Sequence, residues 1–249
     1  MTASTHSSGP GALVRALDRA LDIPAARIEQ RVARMRRKYP WATTPDLCAI
    51  AGSRLRRDAG LSSGAVGACA ALPALGTGLA FTLTVGQSAA FLTSAVTYVL
   101  TVAELQQVHL VDVDRRRTLV LSALLGREGS EIVSGSLGLS TLFWAAQSLA
   151  GLPLPTVKSI NARLARQMAK RTAAKSGALA IGRLVPFGIG AALGWSGGRS
   201  LASQVIEGTQ AALGPAVDAG EAEAAQANQA DKVSTARPVG AWDETEAHS

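Results

Sequence analysis

The residues best placed to do chemistry lie between His109 and Arg117, in HLVDVDRRR: one imidazole, two carboxylates and three consecutive guanidinium groups within nine positions. A histidine beside carboxylates suits general acid–base work, and an arginine triplet suits phosphate. Yet no Ser or Cys nucleophile and no second His stands near His109 in sequence, so a structural or exposed histidine is the favoured reading. For Arg115, Arg116 and Arg117 the favoured reading is a solvated helix start paired with Asp112 and Asp114. Cys48 and Cys69 sit in apolar settings without His or Cys partners, which suggests two small buried hydrophobes rather than a metal site or disulfide. There is no G-x-S-x-G, no phosphate loop followed by Lys and Ser or Thr, and no H-E-x-x-H. The sequence therefore assigns no catalytic, cofactor or metal residues, and the expectation is a non-enzymatic protein.

The elements that would position these groups are dominated by Leu61–Ala103, 43 residues without a charged side chain. Such a run must be hidden from water, as two helices in lipid or as a helical hairpin in a protein core. Its second half offers Val85, Phe91, Leu92, Val96, Val99, Leu100 and Val102. At roughly −0.3 to −0.6 kcal/mol each these give only about −2 to −4 kcal/mol toward insertion. Gln87, Ser88 and several threonines offset part of it, so both shelters stay open. A second uncharged run, Ile132–Val157, is long enough to span a bilayer. A third apolar segment carries Gly182, Pro186, Gly190, Gly194 and Gly198 at every fourth position. That spacing lines small residues along one helix face, a packing seam that another backbone can approach and a route to a homo-oligomer. Arg183 argues against a deep span there.

Charge is distributed unevenly within a net of +7. Residues 1–60 carry eleven Lys and Arg against five Asp and Glu, and residues 158–175 carry six cations and no acid, whereas residues 216–249 carry two cations against seven acids. Two basic segments flanking an apolar middle suit an anionic membrane surface or an acidic partner. The first contains a helix from near Pro24, capped by Asp22, with Ile28, Val32 and Met35 on a narrow apolar stripe. It reads either as a helix lying on anionic lipid, with Tyr39 and Trp41 at headgroup level, or as a solvated helix docked by three side chains. A third helix starts at Thr44 or Asp46 and is closed by Gly60. The second basic helix begins at Thr156, with Val157, Ile160, Leu164 and Met168 on one face. The candidate anion contacts are Arg31, Arg34 and Arg37 on the first helix and Arg163, Arg166 and Lys170 on the second.

Domain organisation follows: a flexible leader at 1–10, basic amphipathic helices at 11–60, an apolar helical domain at 61–215, its last helix resuming near Arg199, and a disordered acidic tail at 216–249. No signal peptide opens the chain, because MTASTHSSGP precedes and the first apolar run waits until residue 61, so the N-terminus is expected to stay cytoplasmic. A multi-span arrangement puts the cations of 158–175 on the wrong side of the membrane, which favours a helical body attached to it.

The order of features in residues 61–214 resembles bacterial EcsC-like proteins. VHLVDVDRRRTLVLSALLG supplies His109, Asp112, Arg116, Leu124, Leu125 and Gly126 at the positions of that family's first signature, with Leu110 where Gly is usual. Val185, Pro186, Phe187, Gly188 and Gly190, in RLVPFGIGAALGWSGGRSLASQVIEGTQAALGP, look like the second. The resemblance implies a bacterial membrane-associated protein and carries over no catalytic residues.

The expectation is thus an all-α protein, a helical bundle built around Gly/Ala-rich apolar hairpins. It would be membrane-associated or partly inserted on the cytoplasmic side of a bacterial cell membrane, with an anionic lipid surface or a membrane protein as partner. The alternative is a soluble, cytoplasmic helical interaction or regulatory protein with the hairpin as its core. A nucleic-acid binder, suggested by a pI near 10.1, ranks third, because its basic helices lack stacking aromatics and the acidic tail opposes it.

Overall fold

A computed structural model describes residues 10–70, 77–110, 112–139, 143–179 and 189–218. Among them all regular structure is helical. In chain order the elements are α1 (Pro10–Leu21), α2 (Ala25–Lys38), α3 (Thr44–Ala70), α4 (Thr77–Leu105), α5 (Val113–Leu125) and α6 (Arg127–Leu137). They continue with α7 (Trp144–Ser148), a 3₁₀ turn (Leu149–Gly151), α8 (Leu154–Leu179) and α9 (Ile189–Leu213). One compact unit extends to Ala216. The expected leader lies outside the described residues but for Pro10, as do Gly182, Arg183, residues 185–188 and residues 219–249 of the expected tail.

The core forms where apolar stripes converge on α4 and α5. From Ala95 to Leu105, α4 is buried almost all round by α1, α2, α3, α5 and α9. A helix apolar on every side belongs in an interior, so residues 95–103 of the charge-free 61–103 run are protein core. The window Ser88–Leu105, with a mean hydropathy of 1.4, is the one helical stretch among the described residues apolar and long enough to cross a membrane, and half of it is buried inside the protein. A full span there would strip Val96, Val99 and Leu100 from their partners. α2 attaches through Ile28, Val32 and Met35, and α8 through Val157, Ile160 and Leu164, all buried. These are the stripes their spacing predicts.

The longest contact joins α3 to α9. Ile206 faces Gly52, whereas Gly198 faces Ala59 and Ser63, and Trp195 and Arg199 face Gly60. Numbers rising along one helix as they fall along the other make the pair antiparallel. A Cβ on Gly198 would sit 2.3 Å from the Ala59 carbonyl oxygen, so this position of the glycine seam is already filled by α3 of the same chain. The seam's next two glycines, Gly190 and Gly194, precede it on α9.

Several boundaries differ from the sequence expectation. α3 does not close at Gly60 but runs on to Ala70, because that glycine makes room for Trp195 and Arg199 within a continuing helix. Its start is fixed by a capping box: the Thr43 hydroxyl accepts from the Asp46 N–H at 3.3 Å, and the Asp46 carboxylate accepts from the Thr43 N–H at 3.0 Å. Asp22 caps nothing at α2, whose N-cap position is Pro24 without a side-chain bond. The 132–157 run is no single span. Gly138, at φ +66, ends α6 in the left-handed conformation, and the Leu139 N–H returns to the Ser134 carbonyl at 2.9 Å, a glycine-terminated helix end. α8 starts at Leu154 rather than Thr156, and α9 at Ile189 rather than near Arg199.

The arginine triplet is the largest local correction. It does not pair with Asp112 and Asp114 as a solvated helix start. Asp112 instead N-caps α5, accepting the Arg115 N–H at 3.0 Å. Arg115 reaches the carbonyls of Leu149 and Leu152, Arg116 is buried and donates to Leu110 at 2.6 Å and Ile23 at 3.0 Å, and Arg117 pairs with Asp18 of α1. Three consecutive side chains thus tie α5 to three separate parts of the chain.

Candidate functional site

The most anion-ready place on the protein lies between α2 and α3. On α2 the apolar stripe commits Ile28, Val32 and Met35 to the core, which leaves Arg31, Arg34 and Lys38, spaced i, i+3 and i+7, along one flank. The chain then turns: the Ala42 N–H returns to the Tyr39 carbonyl at 3.1 Å across Pro40 and Trp41. Pro40 presets that turn and leaves Trp41 standing out, 82% exposed. After the short connection 39–43, α3 carries Arg54 and Arg57 one turn apart, and Arg54 lines a cavity with the α2 cations.

Two cavities result, and they share Arg54. One, of about 250 Å³, is lined by Arg31, Arg34, Met35, Lys38 and Arg54. The other, of about 520 Å³, is lined by Tyr39, Trp41, Ile50, Arg54, Arg57 and the Asp46 carboxylate, together with Ser53 and two alanines. The first is basic apart from Met35; the second is amphipathic. Arg31 Nε is buried and has no hydrogen-bond partner among the described residues. Burial holds the Arg31 guanidinium below its usual pKa, the nearby charges of Arg54 and Arg34 push it the same way, and Asp58 alone opposes them. Lys38 is better placed, its ammonium 5.6 Å from the centre of the Tyr39 ring.

The other sequence-proposed contacts are not gathered here. Arg37 does not line either cavity. On α8, Arg163 donates to Ser136 Oγ at 3.2 Å and Arg166 to its own helix at Ala162, while Lys170 stays exposed. Their neighbour Arg171 holds α8 to the α5–α6 corner through the Leu125 carbonyl at 2.8 Å and Glu128 at 3.5 Å. The α8 cations form a surface strip rather than a pocket. Comparison with protein-family models, curated proteins and solved structures finds no match to this chain. Chemistry must therefore be argued from the residues alone.

The His109 region forms no catalytic constellation. His109 is two-thirds exposed, with Nε2 3.7 Å from Glu104 Oε1, beside a shallow cavity of about 90 Å³ that also touches Glu29 and Arg116. Glu104 is thus its nearest acid, rather than Asp112 or Asp114. Among the described residues no group of three His, Cys, Asp or Glu could hold a metal. Cys48 lies partly buried beneath α2, and burial pushes its thiol up to about 11 from 9.0, against a smaller downward pull from Arg36. Near pH 8 that leaves about 100-fold less thiolate than an ordinary cysteine carries. Alkylation of the Cys48 peptide, followed by mass spectrometry, is expected to be slower by about that factor and to accelerate as pH rises toward 11. A rate equal to that of free cysteine would show the thiol to be open to solvent.

Sequence reasoning found Arg31 and Arg34 and missed Arg54, Arg57 and Lys38 as their companions. Arg54 and Arg57 precede Gly60, where the sequence places the end of the third helix, and α3 continues past it. The available signal was the short Tyr39–Thr43 connection between two helices with basic flanks.

Proposed function

We propose that the chain is a non-enzymatic, membrane-associated helical bundle that docks on an anionic membrane from one side. The observation that carries this reading is the apolar and aromatic pair at the far end of the α3–α9 contact. Leu61 is 51% and Trp195 37% exposed, Trp195 lies over Gly60, and the Arg199 guanidinium sits 5.7 Å from the centre of its ring. Beyond them residues 61–70 of α3, 77–94 of α4 and 189–194 of α9 hold no charged side chain. Tryptophan with a neighbouring arginine at the edge of charge-free helices is the composition of a membrane–water boundary.

Helix length limits how far such an end would enter. Residues 61–70 add about 15 Å at 1.5 Å per residue, half the roughly 30 Å of a bilayer's hydrocarbon. A shallow insertion of the α3–α4 end, returning on the side it entered, would also remove the topological conflict of a multi-span chain. The EcsC-like resemblance is part of this proposal. Of its first signature, Asp112 serves here as a helix cap, Arg116 as a clamp and Gly126 as a corner at φ +74, all of them folding roles. The soluble alternative draws support from the burial of half of Ser88–Leu105.

Flotation of the full chain with vesicles separates the two. The protein is expected to float with phosphatidylglycerol-containing vesicles and much less with phosphatidylcholine alone, to weaken as salt rises, and to lose most binding in Trp195→Ala. Recovery of all protein in the vesicle-free fraction at low salt would sink the membrane reading and leave the soluble one.

A further inference from the structure

We infer that the two cavities joined at Arg54 form one binding site for a phosphomonoester carried on an apolar body. The ligand class follows from what each half lacks. Arg31, Arg34, Lys38 and Arg54 surround the smaller cavity, and among the described residues no carboxylate lines it. Four cations around one space repel one another unless an anion enters; burial lowers the Arg31 pKa most, and Arg54 and Arg34 lower it further against an opposing pull from Asp58. Among the described residues the buried Arg31 Nε–H has no acceptor, which adds to the cost of holding that charge there.

A phosphomonoester answers the uncompensated charge. Near pH 7 it carries between one and two negative charges and three terminal oxygens, against one charge and two oxygens for a carboxylate. Guanidinium forks match such oxygens in pairs, so Arg34 and Arg54 can each meet phosphate oxygens, with the Arg31 charge beside them and Lys38 as a mobile point charge. A phosphodiester offers only two free oxygens and a single charge, and would leave most of the cluster uncompensated. The larger cavity then sets what the phosphate is attached to. Tyr39, Trp41, Ala42, Ala49 and Ile50 give it an apolar and aromatic lining that begins where Arg54 ends. Trp41, held outward by the Pro40 turn, is an exposed surface that a short acyl or similar chain would cover. A phosphomonoester lipid headgroup supplies this chemistry, and so does a soluble apolar phosphomonoester. The site stands on the cleft alone, independent of attachment through the α3–α4 end.

Calorimetric titration of the full chain without vesicles tests it, using monomeric dihexanoyl phosphatidic acid, glycerol 3-phosphate, inorganic phosphate and dihexanoyl phosphatidylcholine. Dihexanoyl phosphatidic acid is expected to bind at least about tenfold more tightly than glycerol 3-phosphate, and phosphatidylcholine not at all. Arg34→Gln and Arg54→Gln are each expected to weaken binding by about tenfold, the loss of one charge-assisted contact. Arg166→Gln on α8 should leave it unchanged, and a thermal melt of each variant confirms that it is folded. Equal binding of inorganic phosphate, glycerol 3-phosphate and the lipid, abolished by Arg54→Gln, would support the phosphate half and overturn the apolar half. No binding of any phosphate, or equal losses in Arg54→Gln and Arg166→Gln, would overturn the site.

Discussion

Replacing Arg116 by methionine is expected to destabilise the protein by about 3 kcal/mol, a fall in Tm of about 6–12 °C for a chain of this size. The reasoning turns on what stays behind. Arg116 is 8% exposed, and its guanidinium serves the carbonyls of Leu110, in the second half of the α4–α5 connection, and Ile23, between α1 and α2. Substituting both members of a buried polar pair with apolar groups can be neutral, because nothing is left unsatisfied. Here the acceptors are main-chain atoms that no substitution removes, and each orphaned carbonyl costs about 1–3 kcal/mol. Arg116→Lys keeps the charge but cannot reach two divergent carbonyls from one nitrogen with the geometry of a fork, so a loss of about half that size is expected. Arg115→Ala is the comparison: the Arg115 side chain and Leu152 are only half-buried, so water can enter the space it leaves, and it should cost about 1 kcal/mol. Thermal unfolding followed by circular dichroism distinguishes these. An Arg116→Met protein melting with the native one would mean that the clamp contributes nothing to the fold.

The arginine triplet also shows where sequence reasoning reaches its limit. Local periodicity suffices for helices that dock by one stripe: Ile28, Val32 and Met35 on α2, or Val157, Ile160 and Leu164 on α8, can be read straight from spacing. A charged group is harder, because its partner can be near in sequence or far. Asp112 and Asp114 were the local solution for Arg115–Arg117, but Arg117 found Asp18 and Arg116 found Ile23, about a hundred residues upstream. Gly60 misled for a related reason. A glycine after a basic turn resembles a helix stop, and only the arrival of Trp195 and Arg199 from α9 explains why the helix continues past it. The candidate site was half legible: Arg31 and Arg34 are visible as cations on a flank, whereas their convergence with Arg54 depends on a turn that sets one helix beside the next. The 61–103 run is ambiguous in sequence because its parts differ: residues 95–103 are core, and its beginning is the end proposed to meet the membrane.

The two adjacent glycines of α9 should respond in opposite directions. A Cβ at Gly197 meets nothing within 4 Å, so Gly197→Ala removes backbone freedom from the unfolded chain and is expected to stabilise by about 0.5–1 kcal/mol. At Gly198 the same Cβ would lie 2.3 Å from the Ala59 carbonyl oxygen, 2.5 Å from Ser63 Oγ and 2.9 Å from the Ala59 carbonyl carbon. Ser63 could rotate away, but the Ala59 main chain sits inside a helix and moves only if α3 moves. Forced separation of a packed helix pair costs about 1–3 kcal/mol or more, which exceeds the helix-propensity gain of about 1 kcal/mol. Gly198→Ala is therefore expected to lower Tm by several degrees and Gly198→Val by considerably more. The same pair decides what the seam is for. If Gly198 met a second copy of the chain instead of α3, Gly198→Ala would alter sedimentation and leave the melting of the monomer untouched. With Gly198 against Ala59, the loss is seen in the monomer itself and does not depend on protein concentration. Because α3 and α9 also carry Leu61 and Trp195 at their shared end, prising them apart should weaken vesicle flotation in proportion to the loss of stability, whereas Gly197→Ala should float as the native protein does.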